Sequence, residues 1–269
     1  ADARRDPPRQ RRRGAGRKPI LRTMEDTLFF ILVYFRLYPT QEVLGFLFGF
    51  QAASGRLLDS LADPHLNAAL GDEMQLPARQ PADLEEVLQA CPELQFILDG
   101  TERPIQRPKD SQRRKDYYSG RKKQYTVKNV VITHKPSGRI LGLSRTYPGR
   151  RHDKAVADEE GFSFPPGSHL WEDIGFEGYA PEGAMVHRPK KKPRKSELSP
   201  EEKAQNRAIA QKRIGVEHST GKVKIFRIVR ETYRNHRSEF EDLVMETACG
   251  LCNLLLACRP AKVAQIVTA

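Results

Sequence analysis

Long apolar runs are missing from this 269-residue sequence, and nothing approaches the roughly 18 to 20 consecutive apolar residues that a membrane span requires. The most apolar segment, residues 28–50, is interrupted by Arg36, Pro39, Gln41 and Glu42, so no membrane span is expected. A secretory signal is not expected either, because the arginine-rich N-terminus is not followed by an apolar region. The chain starts at Ala1 rather than Met, which leaves room for residues upstream. Cysteine is scarce, and four residues do not make a disulfide scaffold. Cys91 is remote from the other three. Cys249, Cys252 and Cys258 fall in an apolar segment that reads as helical. The Cys-x-x-Cys pair has no second ligand pair of matching spacing, so core thiols are expected rather than a zinc or redox site. Internal repeats are absent. Acidic residues are in deficit, 34 against 46 Lys and Arg, for a net charge of +12. Such an excess points to a polyanionic partner: nucleic acid is the usual one, an anionic membrane surface the less usual.

The positive charge is clumped. Residues 1–22 hold nine Arg or Lys against two Asp, and the stretch 1–21 is expected to be a basic flexible arm that orders on phosphate. Residues 22–76 form an expected all-α module. Leu28, Ile31, Leu32 and Phe35 recur at i, i+3, i+4 and i+7, and Val43, Leu44, Leu47 and Phe48 repeat the pattern after Pro39. A third helix over residues 52–61 completes a helix-turn-helix-like arrangement. Its recognition segment, Gln51 to Arg56, holds one base-reading cation, so a small bundle serving dimerisation or packing stands as the alternative. Residues 77–93 read as a linker carrying a short helix, 94–258 as the main domain and 259–269 as a tail.

Within the main domain, residues 94–98 are an apolar run that leads into Asp99, with Gly100 expected to break the strand. An acid at such an edge carries a desolvation cost unless positive charge lies near it; the bland alternative is a turn aspartate. Residues 103–128 hold ten basic residues against Asp110 and Asp116, interleaved with Tyr117, Tyr118 and Tyr125. Strands are expected over 124–134, 139–147, 169–173 and 184–187, and a short helix over 153–160. Residues 188–195 carry six basic residues in eight, which fits phosphate binding, with a solvated or nuclear-localisation-like run as the alternative. Ser199, Pro200 and Glu202 announce a helix with a capping box running to about residue 225. On that helix Arg213, Glu217 and Lys224 lie within about 40° of one face. An ordinary salt-bridged surface would look the same.

Several short motifs occur in a fixed order: Asp-Gly-Thr-Glu at 99–102, Tyr-Tyr-Ser-Gly-Arg-Lys-Lys at 117–123, Tyr-Thr-Val-Lys at 125–128, Pro-Gly-x-x-His-Asp at 148–153, Glu-Asp-x-Gly-Phe at 172–176 and Val-Glu-His at 216–218. Together they resemble the DDE transposases of bacterial insertion sequences, in the branch related to Harbinger elements. The resemblance spans residues 24–258. It implies an α/β fold with a ribonuclease-H-like catalytic core, a mixed sheet flanked by helices, behind the N-terminal helix-turn-helix-like module. It assigns the catalytic, metal-binding triad to Asp99, Asp173 and Glu217, and matches Arg213 and Lys224 to the family's helix signature. Ala210 stands where that signature has Tyr, which removes any contact made by the tyrosine. Asp153 competes with Asp173 for the second acid; otherwise Asp153 would fix a helix start or, with His152 and His218, support the site from behind.

The chemistry so implied is cleavage of transposon ends and joining of the freed 3′-hydroxyl to target DNA, with two Mg²⁺ ions, or Mn²⁺ as substitute, on the three acids. The implied partners are double-stranded DNA, as terminal repeats and target, and a second copy of the chain, in a bacterial cytoplasm associated with the nucleoid. Phosphate contacts are expected from Arg113, Arg114, Lys115, Arg121, Lys122, Lys123, Lys190, Lys191, Lys192, Arg194, Lys195, Arg213 and Lys224. Two other readings remain: a sequence-specific DNA-binding protein of transposase descent, and a metal-dependent endonuclease without strand transfer.

Overall fold

The structure, a computed structural model, describes residues 21, 23–49, 64–193, 197–235 and 240–259, without the side chains of residues 64, 65 and 213–220. The arm up to residue 20, the third N-terminal helix with its recognition segment, and the tail beyond 259 lie outside the described residues.

Helix α1 (Met24–Leu37) starts where the Thr23 side chain accepts a hydrogen bond from the Asp26 amide, and stops at Tyr38 in the left-handed region. Helix α2 (Gln41–Phe48) starts at Thr40 and stops at Gly49, φ 70°. The buried stripe of α1 is Phe30, Ile31, Tyr34 and Phe35; of the expected stripe, Leu28 is exposed. In α2 only Leu44 of the expected four is buried, while Val43 and Leu47 face outward. The difference arises because α1 packs sideways on the C-terminal part of the chain instead of forming a bundle with α2 alone. Helices α3 (Pro64–Asp72) and α4 (Pro81–Gln89) follow. The expected linker is itself packed: the Ala78 amide donates to Leu141 O at 2.7 Å, and Leu84 and Leu88 of α4 are buried.

Strand β1 (Gln95–Pro104) does not end at Gly100. It pairs antiparallel with β3 (Gln124–His134) through Asp99↔Val131, Gly100↔Val130 and on to Pro104↔Thr126. The long partner strand supplies hydrogen bonds past the glycine, so the apolar run ends but the strand continues. Between them lie α5 (Ser111–Tyr117), capped by Asp110, and β2 (Tyr118–Ser119). The expected return strand is divided into β4 (Ile140–Leu143) and β5 (Tyr147–Pro148), both on β3. Between the two, Ser144 Oγ accepts from the Val130 amide and Asn129 Nδ2 donates to Ser144 O, replacing ladder bonds with side-chain ones. After α6 (Asp153–Glu160), β6 (Ser168–Glu172) lies parallel to β1, and β7 (Ala184–His187) parallel to β6. Asp173 follows β6 as the cap of a 3₁₀ turn, Ile174–Phe176. The long helix α7 (Pro200–Val223) has the expected capping box. The short α8 (Arg227–Arg230) and α9 (Phe240–Ala257) close the described chain.

The result is one mixed sheet in the order β2-β3-β1-β6-β7, with helices on both faces. Side chains alternate across it. Phe96, Leu98, Val130, Ile132 and Leu170 pack with α4 and α6 on one face. Val131 and Ile140 pack with α1, α8 and α9 on the other, where Ile97 and Trp171 also meet Ile209 of α7. Among the described residues the N-terminal helices share this second core with α9 rather than having one of their own. Cys249 and Cys252 are buried, unbridged members of it. Burial pushes the Cys252 thiol up to about 12, so it stays protonated at neutral pH, as expected of a core thiol. The architecture is compatible with the ribonuclease-H-like core that the resemblance implies.

Candidate active site and nucleic-acid interface

The parallel pairing of β1 and β6 sets Leu98 opposite Glu172, so Asp99 and Asp173 are the next residues on two strands about 4.8 Å apart. Alternation decides which way they face. Asp99 has the parity of Ile97 and Asp173 that of Trp171, and those two residues pack under α7. Asp173 keeps an extended backbone, φ −85° and ψ 166°, and its Oδ1 accepts from the Ile174 amide at 2.6 Å. Both aspartates are half-buried, on the face that α7 crosses.

Helix α7 is fixed at two points. Ile209 is buried against Ile97 and Trp171. Beyond its end, burial and then the neighbouring Lys122 push the Lys224 ammonium's pKa down, while the negative charges of Asp99 and Glu102 hold it up, so Lys224 lies beside the acidic strand end. Glu217 is on the helix between these two points, and its side chain, like those of Arg213 and His218, lies outside the described residues. Among the described residues no three His, Cys, Asp or Glu side chains are grouped to hold a metal ion. What is present suits a hard divalent cation: two neighbouring carboxylates on a rigid edge supply oxygen donors only.

The opposite face beneath these acids carries a second charged cluster. Glu102 and Lys128 are register partners on β1 and β3. Lys128 is buried, with its Nζ 2.8 Å from Asp153 Oδ1 and 3.7 Å from Glu102 Oε1, and it donates to Arg151 O at 2.6 Å. Thr126 donates to Glu102 Oε2 at 2.9 Å. Gly149 is the glycine of the Pro-Gly motif, and a Cβ there would lie 1.8 Å from Thr126 Oγ1. Lys128 and Arg103 are the two ends of the basic run over residues 103–128, which by its charge would be expected to face solvent and phosphate. Both are buried instead: Arg103 donates to Glu241 O and Asn129 Oδ1, each at 2.8 Å. The signal that could have found Lys128 is its place in the Tyr-Thr-Val-Lys motif, at a strand position with the parity of Val130.

The remaining cations divide by environment. Arg113 and Lys115 are exposed on α5, Arg114 is half-buried, and Arg113 stacks over Tyr117 at 5.2 Å. Arg121, Lys122 and Lys123 project from the turn between β2 and β3, beside the edge-to-face pair Tyr118–Tyr125 at 5.6 Å. Arg188 does not belong with them. It pairs with the buried Glu172 and donates to Phe176 O, which ties down the turn that carries Asp173. Lys190, Lys191 and Lys192 are exposed and ion-paired to Glu202, Glu177 and Glu197, at 3.0, 2.9 and 3.2 Å. Arg194 and Lys195 lie outside the described residues. His152 precedes α6 as an exposed cap residue without a side-chain capping bond.

A sheet that brings two aspartates to one edge under a glutamate-bearing helix defines a class, and sequence comparison identifies it. The chain belongs to the DDE superfamily endonuclease family, whose model matches residues 98–253. It is 29% identical over 249 residues to the probable transposase for insertion sequence element IS702 of Microchaete diplosiphon, covering 92% of this chain and 86% of that protein. Together these matches support the resemblance to DDE transposases of insertion sequences. No solved structure matches the chain.

Proposed function

We propose that the chain is a DNA transposase that cleaves the ends of its element and joins the freed 3′-hydroxyl to target DNA. The observation that carries this reading is the adjacency of Asp99 and Asp173 on one face of the sheet, under the helix bearing Glu217, in a chain of this family. Asp99, Asp173 and Glu217 would hold divalent ions, Mg²⁺ or Mn²⁺. Such ions, when bound, neutralise charge at the attacking and leaving oxygens of a phosphodiester. The chain's own work is positional. Strand pairing and the 3₁₀ turn bring the two aspartates together on one edge of the sheet before substrate arrives. Lys224 lies beside Asp99, with Lys122 as its own cationic neighbour, and the pair would draw the scissile phosphate toward the acids. Water attacks the phosphorus at the element's end and the 3′-oxygen leaves as a hydroxyl. That hydroxyl later attacks a target phosphodiester and displaces its 3′-oxygen.

The exposed cations of α5, the β2–β3 turn and the 190–195 loop, with Arg213, supply backbone contacts. These contacts give affinity without sequence reading. Residues 22–76 then serve as a DNA-binding or dimerisation module, and two copies hold two DNA ends. His152 and His218 would orient ligands or phosphate.

The test is incubation with DNA carrying the flanking repeats in Mg²⁺ or Mn²⁺. Metal-dependent cuts at the repeat ends and joined products are expected, in complexes that sediment with two chains per pair of ends. Asp99→Asn, Asp173→Asn and Glu217→Gln should each lower the rate by more than about a hundredfold. Smaller losses would refute the triad. Cuts without joining would leave an endonuclease, and binding without cutting a DNA-binding protein.

A further inference from the structure

We propose that Asp153 is a positioning residue. Its carboxylate, seated between Gly100 and Gly175 and held by Lys128, sets the separation of Asp99 and Asp173. The proposal rests on the reading of those two aspartates as metal ligands.

Gly100 follows Asp99 directly, and Gly175 comes two residues after Asp173. A Cβ on Gly100 would lie 2.8 Å from both Cγ and Oδ1 of Asp153, and one on Gly175 would lie 2.6 Å from Oδ2. One carboxylate therefore fills the space left by two glycines, each beside one of the acids. Neither glycine has the positive φ that requires glycine for its backbone; both are required by the room they leave. The seat is a rigid one. Asp153 is the first residue of α6, whose Val156 and Ala157 are fully buried in the core below. Its charge also suits the N-terminal end of that helix.

Two observations separate this role from that of a metal ligand. Gly100 has the opposite strand parity to Asp99, so the Asp153 carboxylate lies on the face away from α7. Its Oδ1 is also 2.8 Å from the buried Lys128 ammonium. Drawing it away to a cation would leave that ammonium buried without its nearest counter-charge. Lys128 is anchored in turn by Arg151 O and by Glu102 across the strand pair, so the brace joins β1, β3, α6 and the Asp173 turn.

The experiment measures Mn²⁺ affinity of the full chain by electron paramagnetic resonance, with circular dichroism and thermal unfolding as controls on folding. Asp153→Asn removes the charge from Lys128. Gly175→Ala keeps every charge and displaces the carboxylate, so it decides the matter if Asp153→Asn fails to fold. Both should weaken Mn²⁺ binding about 10- to 100-fold, while saturating Mn²⁺ restores the wild-type spectrum and DNA cleavage. Asp99→Asn should abolish the same binding. If Asp99→Asn binds Mn²⁺ as wild type does, the metal-site reading fails first. If Asp99→Asn loses binding while Asp153→Asn and Gly175→Ala keep wild-type affinity, the positioning role alone is overturned. It is also overturned if Asp153→Asn cannot be rescued at any Mn²⁺ concentration, which would make Asp153 a ligand.

Discussion

Arg103 and Asp99 are four residues apart on one strand and share a face, yet they meet different surroundings. The Arg103 guanidinium is 2% exposed, and burial pushes its pKa down while Asp242 opposes the shift. Besides Glu241 O and Asn129, it donates to Thr146 Oγ1, which itself donates to Asp242. Arg103→Met should cost about 3 kcal/mol, read from urea unfolding, because it orphans these buried acceptors. In one dimension Arg103 and Lys128 look like the ends of a cationic run. Their inward direction depends on strand parity and on what the other strand and α9 put opposite them. The cap at Ser199 was legible in the sequence, because a capping residue acts within three or four positions of itself. The Asp153 seat was not, because it needs Gly100 and Gly175 to come together from segments separated by the whole run from α5 to β6.

At the level of elements, the 190–192 loop is clasped to its own protein. The Lys190 amide donates to Asn206 Oδ1 on α7 at 2.8 Å. Glu177 is held below the usual carboxylate range by its hydrogen bond to Lys191, Glu197 by Lys203 and Lys192, and Glu202 by the Ser199 amide and Lys190. Depressed carboxylates stabilise the folded loop at pH above their unfolded values, and the contribution is lost as pH falls through the folded ones. Hydrogen-exchange protection of the Lys190 amide, corrected for intrinsic rate, should be level above about pH 5 and fall below about pH 4. Protection that stays level to pH 3 would mean the ion pairs do not hold the loop. Glu177 and Glu197 are exposed and Glu202 is partly so, which leaves the clasp weak and salt-sensitive.

That weakness matters for the whole molecule, since a loop lightly held by its own acids can exchange them for phosphates. With a net charge of +12, DNA affinity should fall steeply with salt. Replacing Lys190, Lys191 and Lys192 with Gln should reduce the slope of log affinity against log salt by about 2 to 3. An unchanged slope would remove the loop from the interface and leave α5 and the β2–β3 turn as the phosphate surface.

Composition, capping chemistry and apolar periodicity were enough to predict most elements of this chain, its basic character and the acids at its strand ends, since those signals are local. The ordered motifs were enough to predict its family. Three things were not readable there. They are the continuation of β1 through Gly100, the orientation of Asp99 and Asp173 toward α7, and the gathering of Glu102, Lys128 and Asp153 beneath them. Each follows from strand register, which pairs residues distant in sequence, and a shift of one position would turn every one of these side chains to the other face.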